Sequence, residues 1–152
     1  MCNFVEDIIL DKVERLPDKT AARCEGRSLT YSELDHVVQS MGGLLRSRGV
    51  SPGNTVLIVL PDSFSFLASA LGCVLCGVVA VLFGNRMLQE DYRDCLEATR
   101  PALVIASPGH LALAAAQEAG AQHLVADDAI LAGLIEGVPH IEAYPPGVTM
   151  SA

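Results

Sequence analysis

Apolar residues in this chain follow two rhythms that alternate along its length. The first is helical. Val5, Ile8, Ile9, Val13 and Leu16 recur at three- and four-residue steps and predict a short amphipathic helix over 4–16, closed by Pro17-Asp18. Two short extended runs, Thr20 to Cys24 and Ser28 to Thr30, then flank Glu25-Gly26-Arg27, a glycine turn that predicts a hairpin. A second helical stripe follows in Leu34, Val37, Val38, Met41, Leu44 and Leu45. Thr30 or Ser32 can cap this helix, Glu33 and Asp35 suit the positive end of its dipole, and Gly49 with Pro52 stops it.

The second rhythm is that of buried strands. The β-branched run over 55–60 predicts a strand covered on both faces. A helix over 64–77, apolar almost all round, leads to a second buried strand over 78–83. An amphipathic helix over 89–99, with Tyr92, Cys95 and Leu96 inward, leads to a strand over 102–106. An alanine-rich helix over 110–119 leads to a last short strand over 123–126. Beyond Asp127 the pattern fades, and Pro139, Pro145, Pro146 and Gly147 predict an irregular tail. Strands alternating with helices of this length imply right-handed βαβ units, hence an α/β fold: a parallel sheet with helices on both faces, plus the amino-terminal hairpin. The expected organisation is a helix over 1–16, a βαβ scaffold over 17–127 and the tail over 128–152.

Composition narrows the function classes. The 152 residues are 51% hydrophobic and carry a formal net charge of −8. The acidic balance excludes non-specific nucleic-acid binding, which needs a Lys/Arg surplus against phosphate, and disfavours anionic lipid. Five cysteines without framework spacing fit a reducing, cytoplasmic setting. The stretch 63–83 has no charged residue and is long enough to span a bilayer. Its glycines, Gly72 and Gly77, its Val-rich second half and its place inside a βαβ rhythm are explained by a buried helix followed by a buried strand. No membrane partner is expected.

Candidate chemistry is sparse. Cys73 and Cys76 form a CxxC, but no second pair supplies the remaining ligands of a zinc site, and the pair falls inside a predicted helix, where core packing accounts for it. His36, His110, His123 and His140 are scattered, with no HExxH and no GxSxG nucleophile. The pairs Glu90-Asp91 and Asp127-Asp128 are expected as helix-start or loop charges. Gly42-Gly43, in mid-helix, is expected to permit close packing. No GxGxxG or GxxxxGK[ST] loop is present to cradle a phosphate. No catalytic, cofactor-binding or metal-binding residue is assigned.

The order of longer phrases carries more. LPDKTAA (16–22), SLTYSELDHVVQSMGGLLRSRGVSPGNTVLIVLPDS (28–63), ALGCVLCGVVAVLFGN (70–85) and YRDCLEATRPALVIAS (92–107) stand in an order that resembles the amino-terminal region of the acyl- and aryl-CoA ligases of the adenylate-forming, AMP-binding superfamily. The run over 85–91 before Tyr92 is most similar to the benzoate-CoA ligase branch. The resemblance implies an incomplete portion of the family's large amino-terminal domain. It also implies a parent reaction in which ATP and a carboxylic acid give an acyl-adenylate, with Mg²⁺ neutralising phosphate charge, before coenzyme A displaces AMP.

The family's Ser/Thr/Gly-rich loop ending in Lys-Gly, its aromatic-Gly-x-Thr-Glu segment, its Thr-Gly-Asp ribose contact and its lysine on a mobile carboxyl-terminal domain are all absent from this sequence. Some CoA ligases place arginines where this chain reads Ser107-Pro108-Gly109-His110. The expectation is therefore a catalytically inert amino-terminal fragment, arising by truncation, proteolysis or a split gene. It binds no cofactor itself, and a full-length parent would use ATP, Mg²⁺ and coenzyme A. The alternative is a stand-alone scaffold or binding module derived from that family. A parallel sheet without its neighbours exposes edge groups and apolar surface, so the expected partner is the remainder of the ligase or a second copy joined through the sheet edge.

Overall fold

Thr55–Val59, the β-branched run, forms the strand β3 around which the sheet is built; the computed structural model describes residues 4–129 and 131 of the chain. Before it come helix α1 (Phe4–Arg15), strands β1 (Thr20–Cys24) and β2 (Arg27–Thr30), and helix α2 (Tyr31–Ser47). After it come α3 (Phe64–Leu75), β4 (Val79–Leu82), α4 (Gln89–Thr99), β5 (Leu103–Ala106), α5 (Leu111–Glu118) and β6 (His123–Val125). Strands β3 to β6 form one wholly parallel sheet in the order β4-β3-β5-β6, and β1 and β2 form a separate antiparallel hairpin.

Local chemistry accounts for the boundaries. The hairpin turns on Glu25 and Gly26, both at positive φ (47° and 76°), the twist that joins two strands through two residues. Thr30 caps α2 in a reciprocal box: its hydroxyl accepts from the Glu33 N–H at 3.2 Å, and the Glu33 carboxylate accepts from the Thr30 N–H at 2.8 Å.

The sheet has two differently furnished faces. Val56, Ile58, Leu103, Ile105 and Leu124 point toward α2 and α3. Leu57, Val59, Val104 and Ala106 point toward α4 and α5, where they meet Tyr92, Leu96 and the alanines of α5. Behind α3, Leu67, Leu71 and Leu75 pack against Ile9 of α1 and Leu34 and Val38 of α2. That second contact is why α3 is apolar all round: it is sandwiched between the sheet and other helices. Among the described residues no helix is long and apolar enough to cross a membrane.

Two sequence expectations are corrected. The strand over 78–83 was expected to be buried, but β4 is an edge strand with Val79 and Leu82 more than half exposed. An apolar run records a preference for burial and not the neighbour that provides it. The predicted irregular tail begins inside the fold: Asp128 and Leu131 are buried, and the Leu131 N–H donates to the Asp127 carbonyl at 2.8 Å in a helical turn. His140 and the prolines assigned to the tail lie outside the described residues.

Candidate functional site

Parallel α/β sheets bind ligands outside the carboxyl ends of their strands, at the point where successive connections leave in opposite directions. Here the chain runs from β3 outward to β4 and then crosses back to β5, so that point lies between the ends of β3 and β5. The loops over 60–63, 83–88, 107–110 and 126–128 form this rim.

The loop after β3 ends at the amino terminus of α3. Ser63 caps it, its hydroxyl accepting from the Phe66 N–H at 3.0 Å and donating to the Pro61 carbonyl at 2.9 Å. The Asp128 carboxylate arrives from beyond β6 and accepts from the Ser65 N–H at 2.8 Å and the Phe64 N–H at 3.4 Å. A helix amino terminus is a ready anion site because its first N–H groups lack intrahelical partners. In this protein an internal carboxylate fills it. The sequence alone reads Asp128 as a helix-start or loop charge, without the partners it meets here. No short-range signal could correct that, because its partners lie 63 and 64 residues earlier.

The Cys24 thiol, beside this cap, donates weakly to the Asp62 carbonyl at 3.8 Å. Burial first, and then the charges of Asp128 and Glu25, raise its pKa, so it is a poor nucleophile at neutral pH.

The loop after β4 is held by Tyr92 and His110. The Tyr92 hydroxyl donates to the Gly84 carbonyl at 2.8 Å and accepts from the Met87 N–H at 3.1 Å. The ring packs edge-to-face on Phe83 and His110, with centroids 5.8 and 5.2 Å apart. His110 ends the Ser107-Pro108-Gly109-His110 run that follows β5. Its Nδ1 accepts from the Ala112 N–H at 3.1 Å and caps α5, which leaves Nε2 to donate to the Asn85 carbonyl at 2.8 Å. Both ring nitrogens are therefore committed within the protein. At this rim the α3 terminus presents a carboxylate, and the His110 ring is engaged on both sides.

The remaining candidates take structural places. Cys73 is buried in the core, and burial pushes its thiol up to about 12. Cys76 lies at the end of α3, its thiol donating to the Gly42 carbonyl at 3.5 Å and accepting from Arg46 Nη1 at 3.4 Å. Among the described residues no group of three His, Cys, Asp or Glu side chains is placed to hold a metal. A groove of about 590 Å³ runs between α4 and α5, lined by Arg93, Glu97, Arg100, Glu118 and others. It opens toward the amino ends of β5 and β6, away from the rim, and its charges are mixed. An Arg93–Glu118 ion pair with N···O 2.8 Å bridges it.

The chain is 40% identical over 76 residues to the 3-hydroxybenzoate--CoA/4-hydroxybenzoate--CoA ligase of Thauera aromatica, covering 50% of this chain and 14% of that protein. It is 35% identical over 98 residues to the 4-hydroxybenzoate--CoA/benzoate--CoA ligase of Rhodopseudomonas palustris, covering 64% of this chain and 18% of that protein. Among solved structures it resembles a benzoate CoA ligase from Burkholderia xenovorans with TM-score 0.78 and 29% identity, covering 100% of this chain and 30% of that one. The chain thus spans less than a fifth of the length of these curated relatives. Residues 9–142 match the AMP-binding enzyme family, and the chain belongs to that family.

Proposed function

We propose that this chain is the amino-terminal scaffold portion of an ATP-dependent carboxylic acid–CoA ligase of the benzoate type, and that it is catalytically inert by itself. The kinship to hydroxybenzoate- and benzoate-CoA ligases supports the parent activity: formation of an acyl-adenylate, then of a thioester. The observation that carries the inert reading is the self-sufficiency of the rim. Its helix termini are capped by Ser63, Asp128 and His110, and its tyrosine is spent on backbone groups. ATP, Mg²⁺ and coenzyme A are then met by residues that lie elsewhere in the parent. What this chain supplies is a parallel sheet and two helical layers. Cys73, Cys76 and Cys95 are free thiols, which supports a reducing, cytoplasmic location.

The test is ATP–pyrophosphate exchange by the purified chain with benzoate and with 3- and 4-hydroxybenzoate. The expected result is no exchange above a protein-free control. Exchange that depends on one of these acids would overturn the inert reading and leave the family membership untouched.

A further inference from the structure

The described strands leave four open edges, and they are not alike. The two hairpin edges carry charge, Lys19 and Arg23 before and within β1 and Arg27 at the start of β2, the kind of residue by which natural sheets discourage further pairing. β6 has three residues, and its central Leu124 is buried. β4 has no such guard. No charged residue occurs from Val78 to Phe83, and Val79 and Leu82 are 53% and 54% exposed.

The backbone of β4 faces outward in a regular way. The Val79 N–H donates to the Asn54 carbonyl and the Phe83 N–H to the Ile58 carbonyl, so the odd-numbered residues of this strand serve β3. Ladder alternation then turns the N–H and C=O of Ala80 and Leu82 away from the sheet. An open edge of this kind accepts another strand, by main-chain bonds for affinity and alternate side chains for fit.

We infer that this edge pairs with the same edge of a second copy of the chain, antiparallel, about a two-fold axis through Val81. The edge is complementary to itself in that one register. Ala80 of each copy faces Leu82 of the other, and each such pair exchanges two main-chain hydrogen bonds. On one face of the joined sheet, exposed Leu82 lies opposite small Ala80, so neither crowds the other. On the opposite face, exposed Val79 lies opposite Phe83, and Val81 meets its own counterpart. No like charges meet, because the strand carries none. An isologous contact closes at two copies and leaves no further β4 edge, so the product is a dimer and not a fibre. This inference does not depend on the ligase reading.

The experiment uses the whole chain. Light scattering across a dilution series is expected to show a dimer that dissociates on dilution. Hydrogen exchange is expected to show the Ala80 and Leu82 amides losing protection on dilution while those of Val79 and Val81 keep theirs. Ala80→Pro removes an outward N–H without touching the β3 ladder, and is expected to give a monomer with an unchanged far-UV spectrum. Leu82→Lys places a charge opposite Ala80 and serves as the second variant. A wild-type chain that is monomeric at every concentration, or a dimer that survives both substitutions, overturns the proposal. Protection of Ala80 and Leu82 that rises only when a separate polypeptide of the ligase family is added would also overturn it, assigning the edge to that partner.

Discussion

The two helical layers cover the same four strands, yet they solve different packing problems. In the α2–α3 layer, α3 is covered on both sides: Ala68 and Phe64 belong to the core against the sheet, while Leu67 and Leu71 meet α1 and α2 behind it. It is closed by glycine. A Cβ placed on Gly72 would lie 2.8 Å from Met41 Cγ and 3.1 Å from Met41 Cβ. The α4–α5 layer is interior on one side only. Tyr92, Leu96, Ala112, Ala115 and Ala116 face the sheet, and the outer surface carries exposed charges and the Arg93–Glu118 pair. By hydrophobicity α3 is apolar almost all round, while α4 is an ordinary amphipathic surface helix. The comparison teaches that the number of covered faces, and not the solvent, sets how apolar a helix must be.

That contrast can be broken most sharply at the glycine seam. Gly72→Ala is expected to cost about 3 kcal/mol, since overpacking here displaces Met41 near its own backbone. Thermal unfolding of the variant measures it, and an unchanged midpoint would mean that the seam is looser than described. Next comes the cap that ties β6 to α3. Asp128→Ala leaves the Ser65 and Phe64 N–H groups without their buried acceptor and is expected to cost about 2 kcal/mol. Denaturant unfolding should show the loss with little change in slope.

A smaller effect of opposite sign is expected one residue along α2 from the seam. Nothing lies within 4 Å of a Cβ on Gly43, so Gly43→Ala should stabilise by up to about 1 kcal/mol through helix propensity. The pair Gly72→Ala and Gly43→Ala thus separates a glycine needed for space from one that is not.

The smallest effect belongs to the outer layer. The hydrogen bond and charge of Arg93 lower the Glu118 pKa. A depressed carboxylate contributes stability that is present above its unfolded pKa and is lost as pH falls through the lower folded value. Arg93→Ala should therefore narrow the difference in stability between neutral and acidic pH, weakly, because both side chains are half exposed. Unfolding at both pH values in low and high salt checks this, and a large, salt-independent loss would count against a surface role.

Much of the fold was legible along the chain because its signals are local. The Leu34–Leu45 stripe and the Glu25-Gly26 turn act within a few residues and are found where they were expected, and of the two caps the sequence offers for α2, Thr30 or Ser32, the structure takes Thr30. The β-branched run of β3 and the LVIA run of β5 are buried as read. The candidate site was less legible. His110 is legible as the start of a helix, but its second partner is not. Its hold on Asn85 spans 25 residues, and that of Tyr92 on Gly84 requires the β4–α4 loop to fold back. These partners are chosen by the approach of strand ends, which no periodicity encodes.

By itself, then, the sequence determined the order of helices and strands, the parallel sheet that such alternation demands, and the ligase family, because each depends on spacing or on ordered phrases. Only the tertiary structure decided that β4 lies at an open edge while β5 lies inside. Both runs are apolar and of similar length, but the crossover through α4 carries the chain back past β3, giving β5 two neighbours and β4 one. It also decided that Asp128 closes α3, because a buried carboxylate is held by whichever donors the assembled sheet brings within reach.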